Sequence, residues 1–126
     1  MPVVRALRGA TTIEIDEPAH IADRVEALVR TMLERNGLTT DDLISMLFNA
    51  TADVHSTFPA TAARARIPEL ADVPLMNTTE LDVKGALQRC IRVLAHANTD
   101  VPRADVQHVF LEGAVVLRPD LAGTGS

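Results

Sequence analysis

The sequence of 126 residues carries 12 Lys+Arg against 17 Asp+Glu, is 47% hydrophobic, and holds one Cys, no Trp, no Tyr and three Phe. One domain over residues 1–126 is expected, large enough to bury a core without disulfides or metal staples. A net charge of −5 and so few aromatics argue against a nucleic-acid binder, which needs a basic face and stacking platforms. No run approaches the roughly 20 apolar residues of a membrane span, and the first twelve residues lack a signal peptide's apolar segment. A soluble cytoplasmic domain, with no membrane partner, is the expectation.

Residues 3–8, VVRALR, alternate as a strand, with Val3, Arg5 and Leu7 on one face and Val4, Ala6 and Arg8 on the other. Gly9 closes it, and residues 11–15 read as a turn or loop. From Pro18 to Asn36 the period changes. Ile21, Val25, Leu28, Met32 and Leu33 form a helical stripe, with Pro18 at its start and Gly37 as its stop. Thr39 to Asp42 offer a capping oxygen for a short helical turn. The apolar run LISMLFNA at 43–50 suits a buried strand. The stretch HSTFPA at 55–60 bends through Pro59 into a helical piece at 60–66. Residues 73–77, VPLMN, predict an edge strand, because Pro74 cannot donate to a ladder. Residues 83–97 predict a second long helix with Val83, Leu87, Cys90, Ile91 and Leu94 inward. VQHVFL at 106–111 predicts a strand, AVVL at 114–117 a further extended piece, and 118–126 a mobile tail. Interleaved strands and helices give an α+β domain on a mixed sheet.

The histidines (His20, His55, His96 and His108) have no H-x-x-x-H spacing and no paired Cys, which argues against a metal site. Cys90, among apolar neighbours, reads as packing rather than as a nucleophile. RGATT holds one glycine and is no phosphate loop, and no Ser-centred G-x-S-x-G elbow occurs. Packing leaves four polar residues unexplained. Arg8 precedes a glycine that would let backbone approach a ligand, Glu80 follows the edge strand in a loop, Arg92 lies at the margin of the apolar stripe, and Arg118 interrupts AVVL-R-P. Taken singly, a solvated side chain or a local ion pair is the plainer reading of each. Together they suit a small, multiply anionic ligand carrying a hydroxyl, since arginine's fork grips carboxylates bidentately. Eleven of the twelve basic residues are Arg, for which a GC-rich genome is the plainer cause.

Four blocks sharpen this: RALRGATT at 5–12, NATADVHSTFPATAAR at 49–64, ELDVKGALQRCIRV at 80–93 and HVFLEGAVVLRPDL at 108–121. In order and spacing, from about residue 3 to residue 121, they resemble the monofunctional AroH-class chorismate mutases, the trimeric Bacillus-type enzymes. The resemblance implies a homotrimer, a pseudo-α/β-barrel of mixed sheets with flanking helices, and active sites between subunits. The implied reaction is the Claisen rearrangement of chorismate to prephenate, a step toward phenylalanine and tyrosine, without cofactor or metal. Also implied are the site residues. Arg92 would stabilise the ether oxygen, Arg8 would clamp the enolpyruvyl carboxylate, and Glu80 would accept the ring hydroxyl's hydrogen bond. Substrate-binding places fall to Phe58, Arg64, Met76, Asn77, Thr78, Thr79, Phe110, Leu117 and Arg118.

Three positions depart from the family's pattern. Asn77 replaces a common cysteine, Phe110 a tyrosine whose hydroxyl reaches a substrate carboxylate, and Thr61 a rim lysine. Each implies weaker substrate binding with Arg8, Glu80 and Arg92 retained, hence an active enzyme of raised KM. The alternatives are a non-catalytic trimeric binder of chorismate, prephenate or a related acid, a RidA-like imine deaminase, and a trimer without ligand.

Overall fold

The computed structural model describes residues 1–117; the expected tail at 118–126, Arg118 included, lies outside them. Five strands form one mixed sheet: β1 (Val3–Thr12), β2 (Leu43–Ala50), β3 (Leu75–Thr79), β4 (Cys90–Thr99) and β5 (Val109–Phe110), in the order β3-β2-β4-β1-β5. The middle strand β4 runs antiparallel to both β1 and β2, while β3 and β5 are parallel edge strands. Helices α1 (Pro18–Arg35) and α2 (Pro59–Arg66) cover one face. Ile21, Val25, Leu28, Val29 and Met32 of α1 are buried against Leu7, Phe48, Ile91 and Val93, as a period of 3.6 over a period of 2 requires.

Gly9 serves this packing and not a ligand. A Cβ there would stand 2.4 Å from Met32 Sδ and 3.2 Å from Leu28 Cδ1, so the missing side chain lets α1 approach the sheet. The strand also does not end at Gly9, since pairing with β4 continues to Thr12. Gly37, at φ +63, follows the helix as a stop that a side chain would strain.

The largest correction concerns residues 83–97, which do not form a helix. Residues 81–89 are loop, with Gly85 at φ +84 and Arg89 at φ 49, and Cys90–Thr99 is the central strand. Ile91, Val93, Ala95 and Ala97 are buried alternately with the less buried Arg92, Leu94 and His96, a period of two beneath the apparent helical stripe. Val83, expected inward, is exposed, and Leu94 faces the side opposite Ile91. The edge strand falls at 75–79, because Pro74 precedes it, and the strand at 106–111 shortens to Val109–Phe110. Glu112–Leu117 is a 3-10 helix where an extended piece was expected. It packs Ala114 with Ala10, Cys90 and Phe110 on the sheet face away from α1. The short turn at Thr40–Asp42 forms as expected, with Thr39 N–H donating to the Asp42 carboxylate at 2.9 Å. Among the described residues no helix is long and apolar enough to cross a membrane, and no three His, Cys, Asp or Glu are placed to hold a metal ion.

Glu14, just after β1, ties the sheet to α1 and to the C-terminal turn. Its carboxylate accepts from Arg24 Nη2 at 2.7 Å and lies 2.7 Å from His20 Nε2, while Arg24 Nη1 reaches Glu112 at 3.6 Å. The Arg24 hydrogen bond, aided by His20 against an opposing burial effect, brings Glu14 from its ordinary 4.5 to about 2. A depressed carboxylate stabilises the fold above its ordinary pKa, and the gain is lost as pH falls through the depressed one. Between pH 4.5 and about 2, wild type should therefore lose melting temperature faster than Glu14→Gln. Parallel curves for the two proteins would contradict this role.

Candidate active site

The sheet face not covered by α1 and α2 carries the residues that packing left unexplained. Register sets them in two rows across the strands. Ala10, Arg92, Asn49 and Thr78 stand side by side, and next to them Arg8, Leu94, Leu47 and Met76. Glu80 follows β3 directly, its N–H held by the Ala50 carbonyl at 2.9 Å. Arg8, Leu47, Asn49, Thr78, Glu80, Arg92 and Leu94 line an open cleft of about 340 Å³. The strand ladder, rather than any loop, fixes the backbone of Arg8 and Arg92.

Arg92 is 15% exposed and its Nη1 stands 2.8 Å from Glu80 Oε2. That distance is an ion pair's, yet Nη1 has no aligned hydrogen-bond acceptor and is itself buried. The other Glu80 oxygen accepts the Leu81 N–H at 3.0 Å, which orients the carboxylate toward Arg92. A buried donor without an acceptor is costly unless something polar arrives to receive it. Among the described residues, the only other buried side-chain polar atom without a partner is Asn49 Oδ1, on the residue directly opposite Arg92. Both residues line the same cleft.

A larger cavity of about 610 Å³ adjoins it, sharing Thr78, and is lined by residues 50–52 and 54–59 with Asn77 and Thr79. Its loop is tied down by carboxylates. Asp16 accepts the backbone N–H groups of His55 and Ser56 at 2.9 and 3.1 Å, and Asp53 accepts the Arg89 N–H at 3.0 Å. Burial would raise the pKa of Asp16, but the hydrogen bonds from His55 and Ser56 outweigh it and hold the carboxyl below its usual range. Phe58, at 66% exposure, stands at the mouth.

The structure therefore brings together Arg8, Glu80, Arg92 and Thr78, with Phe58, Asn77 and Thr79 alongside. Arg64 and Met76 are exposed and line neither space. Phe110, only 4% exposed, packs on Ala10, Cys90 and Ala114, with Leu117 against the same cluster and not in the cleft. Cys90 is buried on the strand, and burial pushes its thiol up, away from nucleophilic use. Asn49, Leu47 and Leu94 were missed in the sequence. Strand alternation from Ser45 through Leu47 to Asn49 was the signal that one face of β2 is unlike its core face.

Asn77 has a local task as well. Its Oδ1 accepts the Ala60 N–H at 3.0 Å, satisfying the first turn of α2, whose N-cap Phe58 has no side-chain oxygen to offer. The residue also lines the larger cavity. Asn77→Ala should lower stability by about 1 kcal/mol, the usual cost of a lost helix cap, while Asn77→Asp should retain it. Urea denaturation measures both, and an unchanged midpoint for Asn77→Ala would remove the cap.

Comparison with known proteins places this arrangement. A family model described as chorismate mutase type I matches residues 4–121. The chain is 42% identical over 122 residues to the chorismate mutase AroH of Bacillus subtilis (strain 168), covering 97% of this chain and 95% of that protein. It is 46% identical over 120 residues to the chorismate mutase AroH of Thermus thermophilus, covering 94% and 97%. A solved chorismate mutase from Clostridium thermocellum superposes with a TM-score of 0.84 at 43% identity, over 88% of this chain and 97% of that one. On its sequence and its fold alike, the chain belongs to the type I, AroH-class chorismate mutase family and is an isomerase of that kind.

Proposed function

We propose that the cleft of Arg8, Glu80 and Arg92 converts chorismate to prephenate, with Arg92 aimed at the ether oxygen. The observation that carries this is the buried Arg92 donor, paired by distance to Glu80 but without an aligned acceptor of its own. The reaction breaks the carbon–oxygen ether bond while a carbon–carbon bond forms, through a chair-like transition state and with no proton transferred. Negative charge grows on the ether oxygen and positive charge on the ring. A guanidinium fixed at that oxygen gains more in the transition state than in the ground state, which lowers the barrier. Glu80 holds Arg92 in direction and lies near the developing positive charge. Arg8 clamps the enolpyruvyl carboxylate, which keeps the chain over the ring and adds an orientation effect.

Phe58, Thr78, Thr79 and Asn77 form the binding surround in this reading, with Met76 exposed on the same sheet face beside Leu47 and with Phe110 and Leu117 packed around Ala10 and Cys90. Among the described residues, two guanidiniums against one carboxylate leave the cleft one positive charge, short of what a dianion needs. Arg64 and Arg118 supply the remainder, and a homotrimer brings such groups across from a neighbouring subunit. Support for the trimer comes from the open sheet face, where Val4 and Met76 are 54% and 61% exposed beside Leu47 and Leu94. A cytoplasmic location is part of the same reading, in keeping with a chain whose one cysteine forms no intrachain disulfide. Prephenate so formed would feed phenylalanine and tyrosine synthesis.

Purified protein should consume chorismate, followed by its absorbance, and run in solution near three times 13.6 kDa. Arg92→Ala should lose about 10²–10³ in kcat, the usual effect of removing one such donor. Silence of the wild type at high chorismate would overturn the catalytic reading, and retained prephenate binding would then leave a binder.

A further inference from the structure

Arg8 takes its main-chain hydrogen bond from a side chain. Backbone groups along a strand face its two neighbours in turn. On β1 the Ala10 carbonyl faces β5 and accepts the Leu111 N–H at 2.9 Å, so the Arg8 N–H, two residues earlier, faces the same way. Continued back by that step, the parallel ladder would give Arg8 N–H the Gln107 carbonyl. The ladder stops short of this, because β5 is only two residues long and pairs no further back than Gly9 with Val109.

Asn36, at the end of α1, is what turns Gln107 away. Its Nδ2 donates to the Gln107 carbonyl and its Oδ1 accepts the Gln107 N–H, both at 2.8 Å. Both backbone groups of Gln107 are thereby committed to the helix. The next residue fills the gap left in the sheet. The His108 ring accepts the Arg8 N–H on Nδ1 at 2.9 Å, 100 residues away in sequence. A neutral imidazole that accepts on Nδ1 carries its proton on Nε2. The ring is rigid and planar, and it holds the very residue whose guanidinium enters the cleft. Any rotation of that peptide swings the Arg8 side chain, which leaves from the same Cα.

We infer that His108 is a positioning residue for the reaction. Seated by Asn36 through Gln107, its ring completes the ladder at Arg8 and sets where the guanidinium stands. The inference rests on the chorismate reading of the cleft and adds a residue outside the cleft's own lining.

The experiment measures kcat and KM with chorismate for wild type, His108→Asn, His108→Gln and His108→Leu, and repeats the leucine and glutamine changes in an Arg8→Ala background. Asparagine puts an acceptor as many bonds from Cα as Nδ1, glutamine puts it one bond further out, and leucine has none. His108→Leu and His108→Gln should lower kcat/KM about tenfold, part of the roughly 10² that a 1 Å misplacement costs. His108→Asn should stay close to wild type. In the Arg8→Ala background neither change should add a further loss, because the residue acts through Arg8. Where His108→Leu yields no folded protein, His108→Gln carries the same expectation. Three results would overturn the inference: wild-type kcat/KM in the folded leucine or glutamine variant, an asparagine variant as impaired as these, or a tenfold loss that persists without the Arg8 side chain. Wild-type turnover with unaffected variants removes only this inference, whereas a silent wild type removes the reading of the site and the role of His108 with it.

Discussion

The 2.8 Å contact between Arg92 and Glu80 is the constraint around which the described structure is arranged. Arg92 projects from the middle strand of the sheet, where antiparallel partners on both sides hold its backbone, and Glu80 is delivered by the end of an edge strand. A long, flexible side chain is thereby given one direction before any ligand arrives, which is what electrostatic catalysis requires. The cost is a buried donor without an aligned acceptor, carried by a fold whose other face is closed by α1 and α2.

The acidic net charge of −5 and the basic cleft belong to one economy of placement. Most of the acidic groups described above do structural work. Glu14, Asp16, Asp42 and Asp53 each accept hydrogen bonds that tie a loop or turn to its neighbour. Among the described residues lining the cleft, only Glu80 opposes Arg8 and Arg92, and it is already committed to one of them. Local field, not overall charge, decides what the cleft attracts. A chain that looks unsuited to anions by its total charge still presents two cations to one.

Much of the frame was legible in the residues. The stripe from Ile21 to Met32 and the alternation of VVRALR each have one dominant period, and both elements formed there, although β1 runs on past Gly9 to Thr12. Residues 83–97 carry two periods at once. Val83, Leu87, Cys90, Ile91 and Leu94 imitate a helix, while Ile91, Val93, Ala95 and Ala97 alternate, and pairing with two neighbouring strands selects the second. Gly9 was read as room for a ligand, although the room is taken by Met32 from a helix distant in sequence. No local pattern could show that. For the site, composition and spacing reached only a set of unexplained polar residues, and the resemblance to a family supplied Arg8, Glu80 and Arg92 as a unit. Asn49 was passed over because it ends an apolar run, and only the register sets it opposite Arg92.

Catalysis here depends, in this reading, on the orientation of the Arg92 guanidinium beyond its charge, and Arg92→Lys separates the two. Lysine keeps the positive charge but lacks the planar fork that Glu80 can hold while a second N–H faces the ether oxygen. In Arg92→Lys, kcat for chorismate should fall by about 10² or more, with KM changing far less, as for a donor used in the transition state. A lysine variant with kcat close to wild type would show that charge alone suffices and that the guanidinium's orientation does not matter.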